Sequence, residues 1–353
     1  MSYTNGLDDP SAYFQTMLWT GNSTDSRALT NDGNSDLQPD FVWLKNRDLG
    51  YSHFITDSSR GVTKYLYSDV TDAEATLTNM VESFDSNGFT IGFDGSQVPN
   101  YNGNTFVGWQ WKCNGGTTST NSDGDIDSTV QVNQDAGFSI VTYQPSNTTA
   151  RNIGHGLGTT PGVIIIRNRT RIENPRFWHH SIGAGGAILD NTSAYNTGTS
   201  TLVNTVNSTI FNVGSDFSVN GGYPIVAWCF AEKKGYSAFS TYRGNSSTNG
   251  PFCYTGFKPA FILFKKSSDS GDNWMMYDTK RSDTNGNVVD RALHPNSSSA
   301  EYNNANANID ILSNGFKLRS SFGWVNQNTH TYMYMAFAEN PFVTSTGIPT
   351  TAR

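Results

Sequence analysis

Charge is scarce in this sequence. Asp, Glu, Lys and Arg together supply 15% of 353 residues, 30 acidic against 23 basic, for a formal net charge of −7. There is no Lys/Arg run and no basic stripe, so a nucleic-acid partner has no electrostatic footing. Cysteine is scarcer still. Cys113, Cys229 and Cys253 are odd in number, far apart and without C-x-x-C spacing, which argues against a zinc or redox site and for free thiols. No apolar run is long enough to span a bilayer, and residues 1–12 have neither a basic n-region nor an apolar h-region. A cytosolic assembly without membrane insertion is therefore expected. Long amphipathic helical periodicity is missing too. What abounds is aromatic side chains, at 13%, among Gly, Ser, Thr and Asn, the residues of strands and tight turns. Seven N-x-[ST] motifs, starting at Asn22, Asn147, Asn168, Asn191, Asn207, Asn245 and Asn296, follow from that composition.

The strongest signal is self-similarity. A proline followed by a short apolar strand ending in basic residues occurs three times, as QPDFVWLKNR from Gln38, TPGVIIIRNR from Thr160 and KPAFILFKKS from Lys258. With Pro39, Pro161 and Pro259 as origins, other segments match on both sides. Upstream lies a strand running into a polar turn, with Trp19, Tyr143 and Tyr242 in corresponding places. Downstream come an aromatic segment (HFITD from His53, FWHHS from Phe177, WMMYD from Trp274), a polar stretch, and a turn delivering phenylalanine (SNGFTI, GSDFSV, SNGFKL). Each copy closes on an apolar strand, FVGWQW from Phe106, IVAWCFAE from Ile225 or MYMAFAE from Met333. Alternation with Gly/Asn punctuation predicts an all-β chain of three tandem, diverged antiparallel β-sandwich modules of jelly-roll or lectin-like kind.

The repeat sets the expected boundaries: an arm at 1–12, modules at 13–113, 137–235 and 236–343, a connector at 114–136 and a polar tail at 344–353. The connector contains one alternating piece, Asp125 to Val132, suited to an extra strand.

Catalysis requires an acid, base or nucleophile set gathered in one place, and the six histidines are scattered without recurring at an equivalent position. The chain is expected to be non-enzymatic, with no cofactor. Asn121, Asp123, Asp125 and Asp127 have the every-other-residue spacing of a calcium loop, but Val132 stands where a bidentate Glu belongs, so a hairpin turn is the favoured reading. The repeated polar feature is the basic strand end: Lys45 and Arg47, Arg167 and Arg169, Lys265 and Lys266. These side chains could face a sugar or an acidic partner, and strand-end charges that discourage edge pairing are the alternative. Tyr101, Tyr195 and Trp324, in Asn/Gly-rich loops, are candidates for stacking on a glycan or for plugging interfaces.

The strings DDPSAYFQTMLWTGN, LQPDFVWLKNRD, SRGVTKYL, DAGFSIVTY, VAWCFAEKKGYSAFSTYRGN, TGFKPAFILFKK, SNGFKLR and YMAFAENPF resemble a family of virion proteins from marine tailed bacteriophages, described as tail-fibre or appendage proteins. The resemblance covers nearly the whole chain. It implies a structural component of the particle exterior, assembled in the host cytoplasm with other virion proteins, as a homo-oligomer such as a trimer, and in reach of host surface glycans. A capsid decoration or head-fibre protein, or a lectin or depolymerase, is the alternative. The family brings no catalytic residues.

Overall fold

Each proline-led string forms a strand, at Phe41–Asn46, Val163–Asn168 and Phe257–Lys266. The structure is a computed structural model and describes residues 7–350 except 94, 96, 97, 283–286 and 304. Residues 1–6 of the expected arm and 351–353 of the expected tail lie outside the described residues. Around each proline-led strand the same sheet is built. An opening strand (Phe14–Thr20, Phe138–Tyr143 or Ser237–Arg243) pairs with the closing strand (Thr105–Trp111, Ile225–Phe230 or Thr331–Pro341). The closing strand pairs with the proline-led one, and that with the aromatic strand (Phe54–Asp57, Arg176–His179 or Met275–Asp278), all antiparallel. A closing strand in mid-sheet is buried on both faces, which is why its sequence is a largely apolar run, with the buried Gln110 as an interruption in unit 1. Smaller strands, Arg27–Thr30 with Val81–Asp85 and Gly88–Ile91 in the first copy, make a second layer that recurs in the other two. The fold is all-β, and we call the three copies units 1, 2 and 3.

Register fixes which residues are equivalent. Trp111 lies opposite Phe41, Phe230 opposite Val163 and Phe337 opposite Phe261, each partner standing two residues past its proline. One hydrophobic core lies between the two layers of each unit, and a further core is common to all three. At its centre the ring centroids of Trp111, Phe230 and Phe337 form a triangle with sides of 5.4, 5.7 and 6.1 Å. Pairs of this kind contribute about 0.5–1.5 kcal/mol each beyond their area burial. The units, tandem in sequence, thus close around a pseudo-threefold axis and are not strung in a line.

The connector departs from this symmetry. Its strands Ser119–Asn121 and Ser128–Asn133 form a hairpin that extends the unit 2 sheet from the edge of the opening strand. Among the described residues, the opening strands of units 1 and 3 have no such neighbour and stand at the sheet edge. No helix among the described residues is long and apolar enough to cross a membrane.

Candidate functional site at the seams between units

The basic strand ends sit where units meet. Lys45, Arg167 and Lys265 occupy equivalent positions and are fully buried. Each donates to main-chain carbonyls: Lys45 to Asn46 and Leu49, Arg167 to Glu173 and Asp72, Lys265 to Lys266 and Thr192. Asp72 belongs to unit 1 and Thr192 to unit 2, so two of these contacts cross a seam. Burial pulls both ammonium groups down to about 8 and the Arg167 guanidinium to about 10. In place of an outward sugar or acidic partner, these three side chains face the protein's own backbone.

Two residues further along, the seams differ. Arg47 forks onto Glu301 of unit 3 at 2.8 and 3.0 Å. Glu301 also binds Arg281 at 2.8 Å, and Arg281 binds Asp278 at 2.5 Å. The indole of Trp109 in unit 1 donates to Asp278 at 3.0 Å, and Arg281 lies over the same ring. The network recurs one unit on. Arg169 of unit 2 forks onto Glu74 of unit 1 at 2.8 and 2.9 Å, Glu74 binds Arg60, Arg60 binds Asp57, and the Trp228 indole donates to Asp57 at 3.0 Å with Arg60 above it. Main-chain bonds accompany both: the Glu301 amide donates to the Arg47 carbonyl and the Glu74 amide to the Arg169 carbonyl, each at 2.7 Å. Burial alone would raise the pKa of Glu74 and Glu301, but hydrogen bonds and charge from two arginines hold both below the ordinary carboxylate value.

The third seam keeps the main-chain bond, from the Tyr195 amide to the Ser267 carbonyl at 3.0 Å, and has neutral groups where the others have carboxylates and arginines. His179 stands where Asp57 and Asp278 stand, as its pairing opposite Val163 requires, and bonds the Tyr334 carbonyl at 3.0 Å. Burial lowers its pKa to about 4, so it is neutral near pH 7. Tyr195 replaces the glutamate and donates to the Gly183 carbonyl at 2.8 Å. It is buried in the seam, so of the two places open to it, on a glycan or at an interface, it takes the interface. Lys266 is buried too, paired with Asp272 and bonded to Gln327.

The other sequence candidates are spread apart. Tyr101 is 37% exposed, at a loop tip. Trp324 packs edge-on against Phe322, His294 and Tyr302. Asn121 accepts from the Asp123 amide, and Asp125 accepts from the Asn152 amide, as turn residues do. Among the described residues, no group of three or more His, Cys, Asp or Glu side chains is placed to hold a metal ion. All three cysteines are free and buried.

Two features escaped the sequence reading. Asn100, Asn220 and Asn326, all fully buried, clamp the polar turn that follows each opening strand. Asn100 donates to Asn22 and the Thr24 carbonyl, Asn220 to the Thr149 carbonyl, and Asn326 to Asn245 and the Ser247 carbonyl. The motifs at Asn22, Asn147 and Asn245 are thus the clamped half of a repeated loop, and a recurring Val just before each clamp was the available signal. The second is a cleft of about 400 Å³ between units 1 and 3, among whose walls are Thr16, Ala260, Thr279 and Lys280.

No curated protein and no solved structure matches the chain. One family model does, over residues 9–341, the span holding all three units and every seam described above, and the chain therefore belongs to the family described as a domain of unknown function, DUF7483.

Proposed function

We propose that this chain is a non-enzymatic structural component of the exterior of a tailed-bacteriophage particle, a tail fibre or baseplate appendage, built from three β-sandwiches of jelly-roll or lectin-like kind. The observation that carries the reading is the resemblance of strings along nearly the whole chain to virion appendage proteins. The internal architecture is consistent with a mechanical role. Buried Arg60, Arg167, Arg281 and Lys265 are engaged in seam contacts, and buried asparagines in loop clamps, which stiffen a particle part. The homotrimer that the resemblance implies gives way, in this reading, to a single chain that supplies three units around one core by itself. Its partners are other virion proteins, assembled in the host cytoplasm, and a host surface glycan at the exposed loop tips.

Immunogold labelling of intact particles tests the location: gold on the tail is expected, and gold on the capsid would instead favour a decoration or head-fibre protein. Light scattering on the purified chain is expected to give a monodisperse monomer at micromolar concentration. Incubation with host polysaccharide is expected to leave its viscosity unchanged.

A further inference from the structure

In an antiparallel ladder, residues alternate between those bonded to the neighbouring strand and those whose N–H and C=O point the other way. The Lys112 amide donates to the Tyr13 carbonyl and the Gly21 amide to the Asn104 carbonyl, which fixes the phase for the unit 1 opening strand. Phe14, Thr16 and Leu18 therefore direct their main-chain groups away from the closing strand. The same reasoning, from the Ala231 amide on the Gly137 carbonyl and the Ala338 amide on the Tyr236 carbonyl, makes Ile140 and Phe239 the equivalents of Thr16.

The three equivalents meet different fates. Ile140 is paired with Gln131 on the connector strand Ser128–Asn133. The Gln131 side chain crosses the seam between units 1 and 2, donating to Ser58 and Ser59 at 2.9 and 2.8 Å while accepting from the Asn114 and Gly116 amides. In unit 3 the Phe239 amide donates to Glu232 at 2.6 Å, its carbonyl is met by His180 Nε2 at 2.8 Å, and its ring covers Gly162 so closely that a Cβ there would collide with it. Thr16 has neither arrangement: no described residue meets its outward main-chain groups, and its buried hydroxyl is unpartnered as well.

Beside Thr16 lies the cleft. Thr279 and Lys280 in its wall are the counterparts of Ser58 and Ser59, because the Thr279 amide bonds Ala260 as the Ser58 amide bonds Asp40. The cleft thus occupies, at this seam, the place that the Gln131 strand fills at another. Ion pairs Lys280–Asp32 and Lys258–Glu339, at 2.8 and 2.7 Å, flank it.

We infer that this cleft is an open strand slot that receives an extended polypeptide segment of a partner, antiparallel to Phe14–Thr20, with an amide-bearing side chain seated over Thr279. Main-chain bonds to Thr16 give the affinity and the seated amide gives the selectivity, as in other strand additions to a free edge. The occupant's chemistry is set by the strand that this chain itself places in the equivalent position.

The probe is therefore a labelled peptide of sequence STVQVNQ, that of Ser128 to Gln134, titrated into the full chain by fluorescence anisotropy, with the Thr16 amide followed by NMR. Saturable binding and a shift of that amide are expected. Thr16→Pro removes the outward N–H together with the hydroxyl and keeps the Thr16 position free of any ladder bond to the closing strand, so binding is expected to weaken about three- to tenfold, the value of one main-chain hydrogen bond. Replacing the first of the peptide's two glutamines, the counterpart of Gln131, by leucine is expected to weaken binding by a similar factor, and this arm leaves the protein untouched. Absence of saturable binding, affinity indifferent to both changes, or a Thr16 shift produced by simple sugars and not by the peptide would each overturn the assignment.

Discussion

Two seams of this molecule are held by buried charge and the third, in the same position of the same fold, is not. Where unit 1 meets units 2 and 3, a carboxylate, an arginine, a second carboxylate and a second arginine run in series under a tryptophan. Where unit 2 meets unit 3, His179, Tyr195 and Ser267 fill the equivalent places and make neutral hydrogen bonds. Both solutions satisfy every seam with a main-chain bond at the same point. The comparison teaches that the geometry belongs to the repeated backbone and that buried charge is one of two ways of completing it. Desolvation makes the ionic way no stronger in principle than a well-packed neutral one. It does make it more fragile to loss of one member, because the rest are left charged in a dry place.

That asymmetry gives the largest expected effect. Arg281→Met or Arg60→Met leaves Asp278 or Asp57 buried without its arginine and takes from Glu301 or Glu74 one of its two, and is expected to cost about 3–5 kcal/mol in chemical denaturation. Ser267→Ala, at the neutral seam, is expected to cost under about 1 kcal/mol because the seam bond there uses the main chain. Equal losses would break the comparison.

The seams should also fail in different pH windows. His179 is driven down from 6.5 to about 4 by burial, so the unfolded chain takes up a proton that the folded chain refuses. Its contribution is fully present above pH 6.5 and is lost as pH falls from there towards 4, on the order of 3 kcal/mol for a shift of that size. Glu74 and Glu301 have depressed pKa values, so their contribution is present above the ordinary carboxylate range and is lost only as pH falls below it. His53, His155 and His294, also lowered by burial, act with the same sign, their contributions being lost as pH falls below 6.5. Replacing His179 with Gln is therefore expected to reduce the slope of stability against pH between about 4 and 6.5 without altering the loss at lower pH, as read from urea midpoints.

A rebuilding experiment sharpens the same point. His179→Asp alone buries an unpaired carboxylate, whereas combining it with Ile182→Arg, three residues on as Arg60 is from Asp57 and Arg281 from Asp278, and with Tyr195→Glu and Ser267→Arg supplies the partners the other seams use. A favourable coupling of about 1–3 kcal/mol in the mutant cycle is expected.

The loop clamps are the control, common to all units and outside the seams. Asn100→Ala, Asn220→Ala and Asn326→Ala are each expected to cost about 1–3 kcal/mol through orphaned loop groups, with no bias between units. Smallest of all is the exposed pair across the cleft. Asp32→Asn is expected to change stability by less than about 1 kcal/mol, since Asp32 is 74% and Lys280 46% exposed.

Local sequence was sufficient for much of this protein. Proline followed by an apolar run, alternation broken by Gly and Asn, and recurrence of the pattern determined an all-β chain of three copies, because strand formation and turn geometry depend on neighbours a few residues apart. The same local view left Lys45, Arg167 and Lys265 ambiguous between a surface and an interior, and Tyr195 ambiguous between a glycan contact and an interface plug. Those outcomes were decided by contacts between units: Glu301 lies 254 residues from Arg47, and Asp57 lies 171 residues from the Trp228 indole it accepts. A strand-end cation becomes a seam residue only when another unit brings a carboxylate or carbonyl to it, and closure around Trp111, Phe230 and Phe337 is a property of three faces meeting. The sequence alone thus determined the units, and only the tertiary structure decided how charge, cleft and axis arise between them, because burial is set by what packs opposite and not by what lies alongside in the chain.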